Sequence, residues 1–316
     1  MKIYMAPMEG ITIYTYRNAY KDFFGHVDKY FTPFIAAEGS RKMKKREVKD
    51  ILPENNQGIP LVPQIISNNA ENFVRFAKLI YDKGYKEINF NLGCPSGTVV
   101  AKHKGSGFLG KLTELDRFFD YVFNELTFMD ISVKTRIGLN CEDEIYELMK
   151  IYNRYPIHEL IVHPRIRKDY YQHEVRMDKF RYVYETSTNP VCYNGNIYTY
   201  DDYKNIADEF KNLKAVMLGR GLIRNPGLCG ALKEGQDMIP YRDVLRAFHD
   251  RLYAEYKDTM PDARVIIYKM KEIWVYMIDL FEDDGTYIKL FKKSDTLSQY
   301  NVFVNRIFSE CKLRSR

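Results

Sequence analysis

The sequence predicts an α/β fold, a (β/α)8 barrel of the TIM type followed by an all-α helical bundle. Short β-rich runs alternate with longer helical periodicities as far as residue 235. Several runs are almost continuously apolar, such as Leu160-Ile161-Val162, which is typical of parallel strands covered by helices. From Pro240 onward only helical patterns remain. We therefore expect a barrel domain over residues 1–237 and a helical domain over residues 238–316.

The predicted strands are eight in number and lie at 2–8, 29–35, 61–67, 87–92, 131–136, 159–163, 190–194 and 215–219. Apolar residues at helical spacing fill gaps between them, as over 70–80, 112–126 and 145–152. Eight such units suit a barrel of about 250 residues. The alternative is an open doubly wound sheet, which usually has a Gly-x-Gly-x-x-Gly turn where this chain has Pro7-Met8-Glu9-Gly10. Apolar stripes over 244–252, 273–281 and 297–311 predict the C-terminal helices.

Composition and charge limit the class of protein only broadly. Hydrophobic residues make up 45% and charged residues 28% of the 316 residues, which is typical of a globular protein. The net charge of +6 permits a polyanionic partner without requiring one. No apolar run is long enough to span a membrane, and the N-terminus does not look like a signal peptide. Five scattered cysteines without a Cys-x-x-Cys pair favour neither disulfides nor zinc, so we expect no metal and a cytoplasmic location.

Polar residues stand at the carboxyl end of most predicted strands, where the active sites of such barrels lie. They are Glu9, Gln64, Asn91 with Cys94, Lys134 with Arg136, His163, Asn194 with Asn196, and Arg220. A barrel with a purely structural role would not need them. We therefore expect an active site at this rim.

Two glycine turns follow the last two predicted strands, Asn194-Gly195-Asn196 and Gly219-Arg220-Gly221. Glycine lets backbone N–H groups approach a ligand closely, and arginine adds a fork of donors. Loops at this place in such barrels often bind a phosphate. Each turn alone could be an ordinary tight turn, but together they favour a phosphate site.

Cys94 is the sharpest candidate for chemistry. It follows a strand end and opens a loop in which Gly105 and Gly107 are candidate hinges of a lid. A thiol with an ordinary pKa of about 8.5 is mostly protonated at neutral pH and can donate a proton; the alternative is a buried, inert cysteine. Lys134 is suited to binding an anion, and His163 is suited to binding a phosphate or a ring carbonyl. Either residue could instead form a salt bridge at the end of its strand.

Residues 41–49 are strongly basic, and we call them the basic stretch. If it is helical, one face carries Lys42, Lys45, Arg46 and Lys49. Such a face would suit a phosphodiester backbone, and a simply solvated face is the alternative.

The order and spacing of these motifs resemble those of the tRNA-dihydrouridine synthases. The matching segments are Ala6-Pro7-Met8-Glu9-Gly10, Asn89-Phe90-Asn91-Leu92-Gly93-Cys94-Pro95, Val133-Lys134-Thr135-Arg136, His163-Pro164-Arg165 and the two glycine turns. The most specific is Asn-x-Gly-Cys-Pro with Gly105-Ser106-Gly107-Phe108-Leu109 downstream. The glycine turns alone would also suit other flavin barrels.

The resemblance implies an enzyme that binds flavin mononucleotide (FMN) and uses NADPH to reduce the C5=C6 bond of selected uridines in tRNA. It implies that Pro7, Met8 and Glu9 line the flavin ring, that Gln64 meets its pyrimidine edge and that Lys134 lies near N1. It assigns the ribityl chain and phosphate to His163, Asn194, Gly195, Asn196, Gly219 and Arg220, and the target uracil to Asn91, Arg136 and Tyr171. In the implied mechanism the base is turned out into the barrel mouth, flavin N5 delivers a hydride to C6, and Cys94 protonates C5.

Three positions depart from the family pattern. Thr32-Pro33-Phe34 lacks a frequent glutamate, Pro164 stands where glycine is common, and His173 replaces a frequent glycine near Tyr171. The first alternative function is that of an FMN-dependent barrel enzyme that acts on a small dihydropyrimidine or dihydroorotate. The basic stretch and the helical tail favour tRNA as the substrate instead. A non-catalytic RNA-binding scaffold is the second, but it would not need Cys94, Lys134 and both glycine turns. No membrane and no obligate protein partner is expected.

Overall fold

The structure is a computed structural model that describes residues 1–39, 41–283 and 285–314. In these residues ten strands form one sheet: β1 (Lys2–Met5), β2 (Lys29–Phe31), β3 (Ile35–Ala36), β4 (Leu61–Val62), β5 (Gln64–Ile66), β6 (Glu87–Leu92), β7 (Asp130–Gly138), β8 (Leu160–Ile166), β9 (Val191–Tyr193) and β10 (Ala215–Leu218).

Fourteen α-helices are found in the same described ranges. They are α1 (Tyr14–Phe23), α2 (Lys45–Asp50), α3 (Ala70–Tyr81), α4 (Gly97–Val100), α5 (Leu112–Glu125), α6 (Glu144–Tyr152), α7 (Met177–Thr186), α8 (Tyr200–Glu209), α9 (Arg220–Arg224), α10 (Leu228–Glu234), α11 (Arg242–Thr259), α12 (Ala263–Met277), α13 (Thr286–Lys293) and α14 (Leu297–Glu310). The predicted helical stripes lie in α3, α5, α6, α11, α12 and α14, with 278–280 continuing the second C-terminal stripe as a 3-10 turn. No helix of the described chain is long and apolar enough to cross a bilayer.

The sheet closes into a barrel. Its strand order is β3-β5-β6-β7-β8-β9-β10-β1-β2-β4, and the strand pairs run parallel. Only Pro63 separates β4 from β5, and a short segment containing Pro33 separates β2 from β3. Each of these two pairs therefore counts as one interrupted strand, or stave, of the barrel. The ten strands then form eight staves, and the two ends of the sheet order belong to neighbouring staves. Proline interrupts these two staves because it has no N–H for the ladder. The predicted (β/α)8 barrel is confirmed.

Alternation along β6 shows how the barrel sorts its side chains. Phe90 lies between the barrel and its helices, where it stacks on Phe118 of α5 with ring centroids 4.6 Å apart and meets Phe73 of α3 edge-on at 5.1 Å. The flanking Asn89 and Asn91 therefore point into the barrel, because successive side chains of a strand face opposite sides. A buried hydrophobic cluster contains Tyr4, Ala6, Phe31, Val62, Ile161, Cys192, Ala215 and Met217.

The chain divides into two compact units. The first contains Met1–Pro7, Asp28–Asn196 and Phe210–Met217, and the second contains Met8–Val27, Ile197–Glu209 and Leu218–Arg316. In the second unit the predicted C-terminal helices share a core with α1, where Phe248 meets the rings of Tyr16 at 5.8 Å and Phe24 at 5.0 Å. The predicted boundary between residues 237 and 238 stays a prediction.

Candidate active site

A ladder of buried amides crosses the barrel interior. Asn89 donates to Ser132 Oγ at 3.0 Å and accepts from Gln64 Nε2 at 2.7 Å. Gln64 in turn accepts from Asn91 Nδ2 at 2.7 Å. Asn89 and Gln64 are completely buried, so each bond of the ladder is shielded from water. The three amides are thus held in fixed orientations.

The upper end of this ladder fixes the backbone of Cys94. Asn91 Oδ1 accepts the N–H groups of Gly93 at 3.1 Å and Cys94 at 2.9 Å. The Cys94 carbonyl accepts the N–H of Ser106 at 3.1 Å and its hydroxyl at 2.8 Å. Cys94 itself is partly exposed. The backbone of Cys94 is therefore held on both sides while its side chain is partly exposed, and its role as proton donor stays a prediction.

Gly105 and Gly107, expected as hinges, have a packing role in the structure. Both are buried in a 3-10 turn over Gly105–Gly110. A Cβ at Gly105, whose φ is +54°, would lie 2.9 Å from the Cys94 carbonyl oxygen. A Cβ at Gly107 would lie 2.8 Å from the carbonyl oxygen of Val100. The glycines let the turn pack directly against the Cys94 loop.

Lys134 is paired across the sheet with Asn91 on β6 and with Ile161 on β8. Its side chain is half-buried. Burial, together with a smaller effect of the nearby Arg136 guanidinium, lowers its pKa to about 8. No residue in the described ranges forms a hydrogen bond or salt bridge with its ammonium group, so the strand-end salt bridge considered as its alternative role is absent there. An unpaired cation in this position is suited to receiving an anion.

Arg136 ties together the loops that follow neighbouring strands. Its guanidinium donates to the carbonyls of Gly93, Ile166 and Tyr170, each at 2.9 Å, and the residue is 1% exposed. It also lies over the ring of Tyr171, 5.4 Å from the centroid. Arg136 thus has a visible structural task, and the uracil contact expected of it stays a prediction.

His163 and Arg165 point in the same direction from β8. Arg165 Nη1 lies 2.9 Å from His163 Nε2, and because arginine only donates, this ring nitrogen is the acceptor. The neutral histidine therefore carries its proton on Nδ1. Arg165 also donates to the His173 carbonyl at 2.6 Å and to Asn196 Oδ1 at 3.4 Å. Tyr171, nearly half exposed, stacks on His163 with centroids 5.9 Å apart, so the loop at 166–173 is joined to the rim.

The two glycine turns follow the neighbouring strands β9 and β10. In the first unit Asn194 is buried and donates to the Met217 carbonyl at 2.8 Å, while a Cβ on Gly195 would overlap the Tyr193 hydroxyl. In the second unit Gly219 precedes α9, and Arg220 lies over the Tyr198 ring at 5.9 Å.

The residues expected around the flavin ring differ in exposure. Pro7 and Met8 are half-buried, whereas Glu9 is exposed. Met8 donates its N–H to Thr12 Oγ1 at 2.8 Å, which fixes the turn after β1.

The basic stretch is only partly helical, which corrects one expectation. Because α2 begins at Lys45, Lys42 lies in the segment before the helix and does not share a helical face with the other cations. The side chains of Lys42, Lys45, Arg46 and Lys49 are nevertheless all exposed. Glu47 accounts for the late start, since it caps the Lys44 N–H at 2.7 Å and binds Arg41 at 2.6 Å.

Sequence reasoning missed several residues that shape the site. Asn89 and Arg165 lie two residues from Asn91 and His163, so the period of two along a strand could have indicated them. Glu38 and Lys104 form a salt bridge at 2.6 Å across 66 residues of sequence, for which no local signal exists.

The fold and the rim together define a TIM-barrel enzyme. The family model for dihydrouridine synthase (Dus) matches residues 4–301. The chain therefore belongs to the dihydrouridine synthase family, whose members are flavin-dependent oxidoreductases, and the resemblance found from sequence is confirmed.

Individual relatives agree with this assignment, and solved structures agree with the fold. The chain is 25% identical over 293 residues to the tRNA-dihydrouridine(16) synthase of Haemophilus ducreyi, covering 88% of this chain and 86% of the relative. It is 28% identical over 263 residues to the enzyme of the same name from Pseudomonas putida, covering 80% and 79%. A crystal structure of TcOYE with pHBA is similar in fold, with a TM-score of 0.53 at 11% identity over 81% of this chain and 94% of that one. Morphinone reductase in complex with tetrahydroNAD has a TM-score of 0.51 at 12% identity over 77% and 89%.

Proposed function

We propose that this protein reduces the C5=C6 double bond of specific uridines in tRNA to 5,6-dihydrouridine, with FMN as bound cofactor and NADPH as reductant. Family membership supports the reaction, and relatives named tRNA-dihydrouridine(16) synthase support the substrate. The observation that carries the proposal is the arrangement across β6 and β7. Asn91 anchors the Cys94 backbone, and its cross-strand neighbour Lys134 is a cation without a partner in the described residues.

The residues present fit a flavin nucleotide. A half-buried ammonium group without a counter-ion is costly, and the reduced flavin ring is an anion that would compensate it. A Cβ on Gly195 would overlap the Tyr193 hydroxyl, so only glycine fits in this turn, and a turn without side-chain bulk is compatible with close approach of a phosphate. When bound, the flavin supplies the hydride, and the nicotinamide cofactor supplies the electrons that reduce the flavin again.

The proposed cofactor contacts follow the rim. Pro7, Met8 and Glu9 would line the ring, with Gln64 at its pyrimidine edge and Lys134 near its N1. The ribityl chain and phosphate would be held by His163, Asn194, Gly195, Asn196, Gly219 and Arg220. His163 is held in place for this role, because its Nε2 accepts from Arg165 Nη1 at 2.9 Å.

Cys94 is proposed to hold the proton that passes from its Sγ to C5 of the uracil. Its partial exposure supports this role, because the thiol must reach a base that has been turned out of the RNA. Asn91, Arg136 and Tyr171 would hold the uracil. Arg136 would do so from a guanidinium that is held in place by its bonds to three backbone carbonyls.

Binding of tRNA is proposed to use Lys42, Lys45, Arg46 and Lys49 together with the helical domain at 238–316. The four side chains are exposed, so each could neutralise a phosphate.

The experiment compares substrates of different size. Purified protein loaded with FMN is incubated with transcript tRNA or free uracil in the presence of NADPH, and with dihydroorotate in its absence, where the oxidised flavin is the acceptor. Dihydrouridine is measured by mass spectrometry of RNA digests, and conversion of the small molecules by mass spectrometry of the reaction mixture. We expect dihydrouridine at defined positions in the tRNA and no turnover of the small molecules. Equal turnover of uracil or dihydroorotate would favour the small-molecule oxidoreductase instead.

A further inference from the structure

The loop that carries Cys94 is joined to the segment after β3 by an ion pair between a buried lysine and a partly exposed carboxylate. Lys104 is 9% exposed and donates to Glu38 Oε1 at 2.6 Å. This hydrogen bond lowers the pKa of the Glu38 carboxyl, which keeps the pair charged. Lys102 lies 3.7 Å from the same oxygen, but its side chain is 65% exposed. Lys104 is therefore the principal partner of Glu38.

On one side, Lys104 is directly connected to the residues that hold Cys94. It precedes Gly105, which packs on Cys94, and Ser106, which donates twice to the Cys94 carbonyl. The backbone of Lys104 is fixed as well, because its N–H donates to Val99 at 3.2 Å and its carbonyl accepts from Gly107 at 2.9 Å. A shift of Lys104 would therefore move the backbone around the thiol.

On the other side, Glu38 is held firmly next to the barrel. The preceding residue, Ala37, donates its N–H to Ile66 at 3.1 Å at the end of the β3–β5 ladder. Arg41 donates to the Ala36 carbonyl at 3.0 Å and binds Glu47 of α2. The backbone on both sides of Glu38 is thus tied to the barrel and to α2, and the ion pair connects the Cys94 loop to this segment.

We propose that Glu38 and Lys104 are positioning residues for Cys94, and that their ion pair sets the place of the thiol relative to the substrate. The proposal rests on the proposed function, since it assumes that Cys94 is the proton donor. Neither residue needs to touch the substrate: the pair acts through Ser106 and Gly105 on the Cys94 backbone.

Replacing Lys104 tests the pair. In Lys104→Met we expect kcat for tRNA reduction to fall roughly tenfold to hundredfold, because small misplacements of a reacting group cost about this much. The KM for tRNA should stay near the wild-type value, since binding surfaces are untouched. The rate at which iodoacetamide alkylates Cys94, followed by peptide mass spectrometry without tRNA, should rise as the loop loosens.

The matched control is Lys102→Met, which removes an exposed lysine near the same carboxylate and should leave kcat and alkylation at wild-type values. Lys104→Arg should restore most of the lost kcat. Glu38→Gln removes the charge with little change of shape and should reproduce the Lys104→Met phenotype if that variant does not fold. Wild-type kcat and alkylation in both Lys104→Met and Glu38→Gln would overturn the proposal. If the wild-type protein itself made no dihydrouridine, the proposed function would fail, and the alkylation rates would still decide whether the pair positions Cys94.

Discussion

Each compact unit buries a chain of polar side chains, and the two chains end differently. In the barrel the ladder from Ser132 through Gln64 to Asn91 ends on the backbone of Cys94, which is partly exposed. In the helical unit, Asp250, His249, Tyr300 and Trp274 form a network in which Tyr300 and Trp274 are completely buried. The first network leads to a reactive group, whereas the second begins and ends among structural contacts.

The proton positions of the helical network follow from its chemistry. Trp274 Nε1 can only donate, so the Tyr300 oxygen accepts at 2.9 Å and its own proton goes to His249 Nε2 at 2.7 Å. His249 Nδ1 then donates to Asp250 at 2.8 Å, and Arg246 closes the chain on that carboxylate. Every polar atom of the histidine is satisfied without a ligand. We infer that the barrel network serves chemistry and the helical network serves stability.

The strongest test of this contrast is Cys94→Ala. Without its proton donor, dihydrouridine formation should fall by at least about hundredfold, which is the contribution typical of a general acid. FMN content and the thermal midpoint should stay at wild-type values, because the Cys94 backbone contacts remain. Cys141→Ala, at an exposed cysteine, is the control and should be fully active. Normal rates in Cys94→Ala would refute the general-acid role.

Lys134→Met should weaken FMN binding about tenfold to hundredfold, the usual effect of losing a hydrogen bond from a charged group. The wild-type affinity should also fall as pH rises through 8, because an anion favours the protonated lysine and the pKa in the free protein is about 8. Anaerobic titration of the apoprotein with reduced FMN, whose ring is the anion, between pH 7 and 9.5 measures both effects. The Lys134→Arg variant keeps its charge throughout this pH range, so its affinity for reduced FMN should not depend on pH. If its affinity fell with pH as that of the wild type does, Lys134 would be excluded from the flavin site.

Neutralising Lys42, Lys45, Arg46 and Lys49 to glutamine should weaken tRNA binding and lower the slope of log K against log salt by up to about 3. The control replaces four exposed lysines elsewhere, at Lys111, Lys204, Lys211 and Lys214, which changes the net charge equally. Binding is measured by filter retention over a series of salt concentrations. Equal slopes in the two variants would show that only overall charge matters.

The barrel could be predicted from sequence because each strand and helix carries its own periodicity. The places of Lys134 and His163 on β7 and β8 could be predicted in the same way, because each lies within a run with strand periodicity, but their roles stay predictions. What could not be predicted depends on distant partners. The helical stripes marked Trp274 and Tyr300 as core, but the hydrogen bond from His249 to Tyr300 spans 51 residues. Likewise, α2 begins at Lys45 and not before Lys42, because Glu47 binds the Arg41 side chain and the Lys44 N–H. These bonds hold the segment around Lys42 outside the helix.

Tyr300→Phe should lower the free energy of unfolding by about 1–3 kcal/mol, because it leaves buried polar atoms of His249 and Trp274 without partners. Dihydrouridine formation at a temperature where the variant is folded should be unchanged, in contrast to Cys94→Ala. Chemical denaturation provides the measurement. Tyr268→Phe, at a tyrosine that is 61% exposed, should have no effect on stability. A loss of activity without a loss of stability in Tyr300→Phe would reverse the roles assigned to the two networks.

The smallest expected effect is a pH dependence of stability that originates in His249. Burial lowers the pKa of His249 below its ordinary value of 6.5, although the neighbouring Asp250 opposes the shift. The unfolded chain therefore binds a proton at a higher pH than the folded one, so the stabilisation is complete above about pH 6.5 and is lost as pH falls through the folded-state pKa. The free energy of unfolding of the wild type should decrease between pH 7 and 5 more steeply than that of His249→Gln. His26→Asn is the control, because His26 is exposed and its φ of 59° is one that asparagine tolerates, and it should retain the wild-type slope. Parallel curves for the wild type and His249→Gln would mean that the closed network does not hold its histidine neutral.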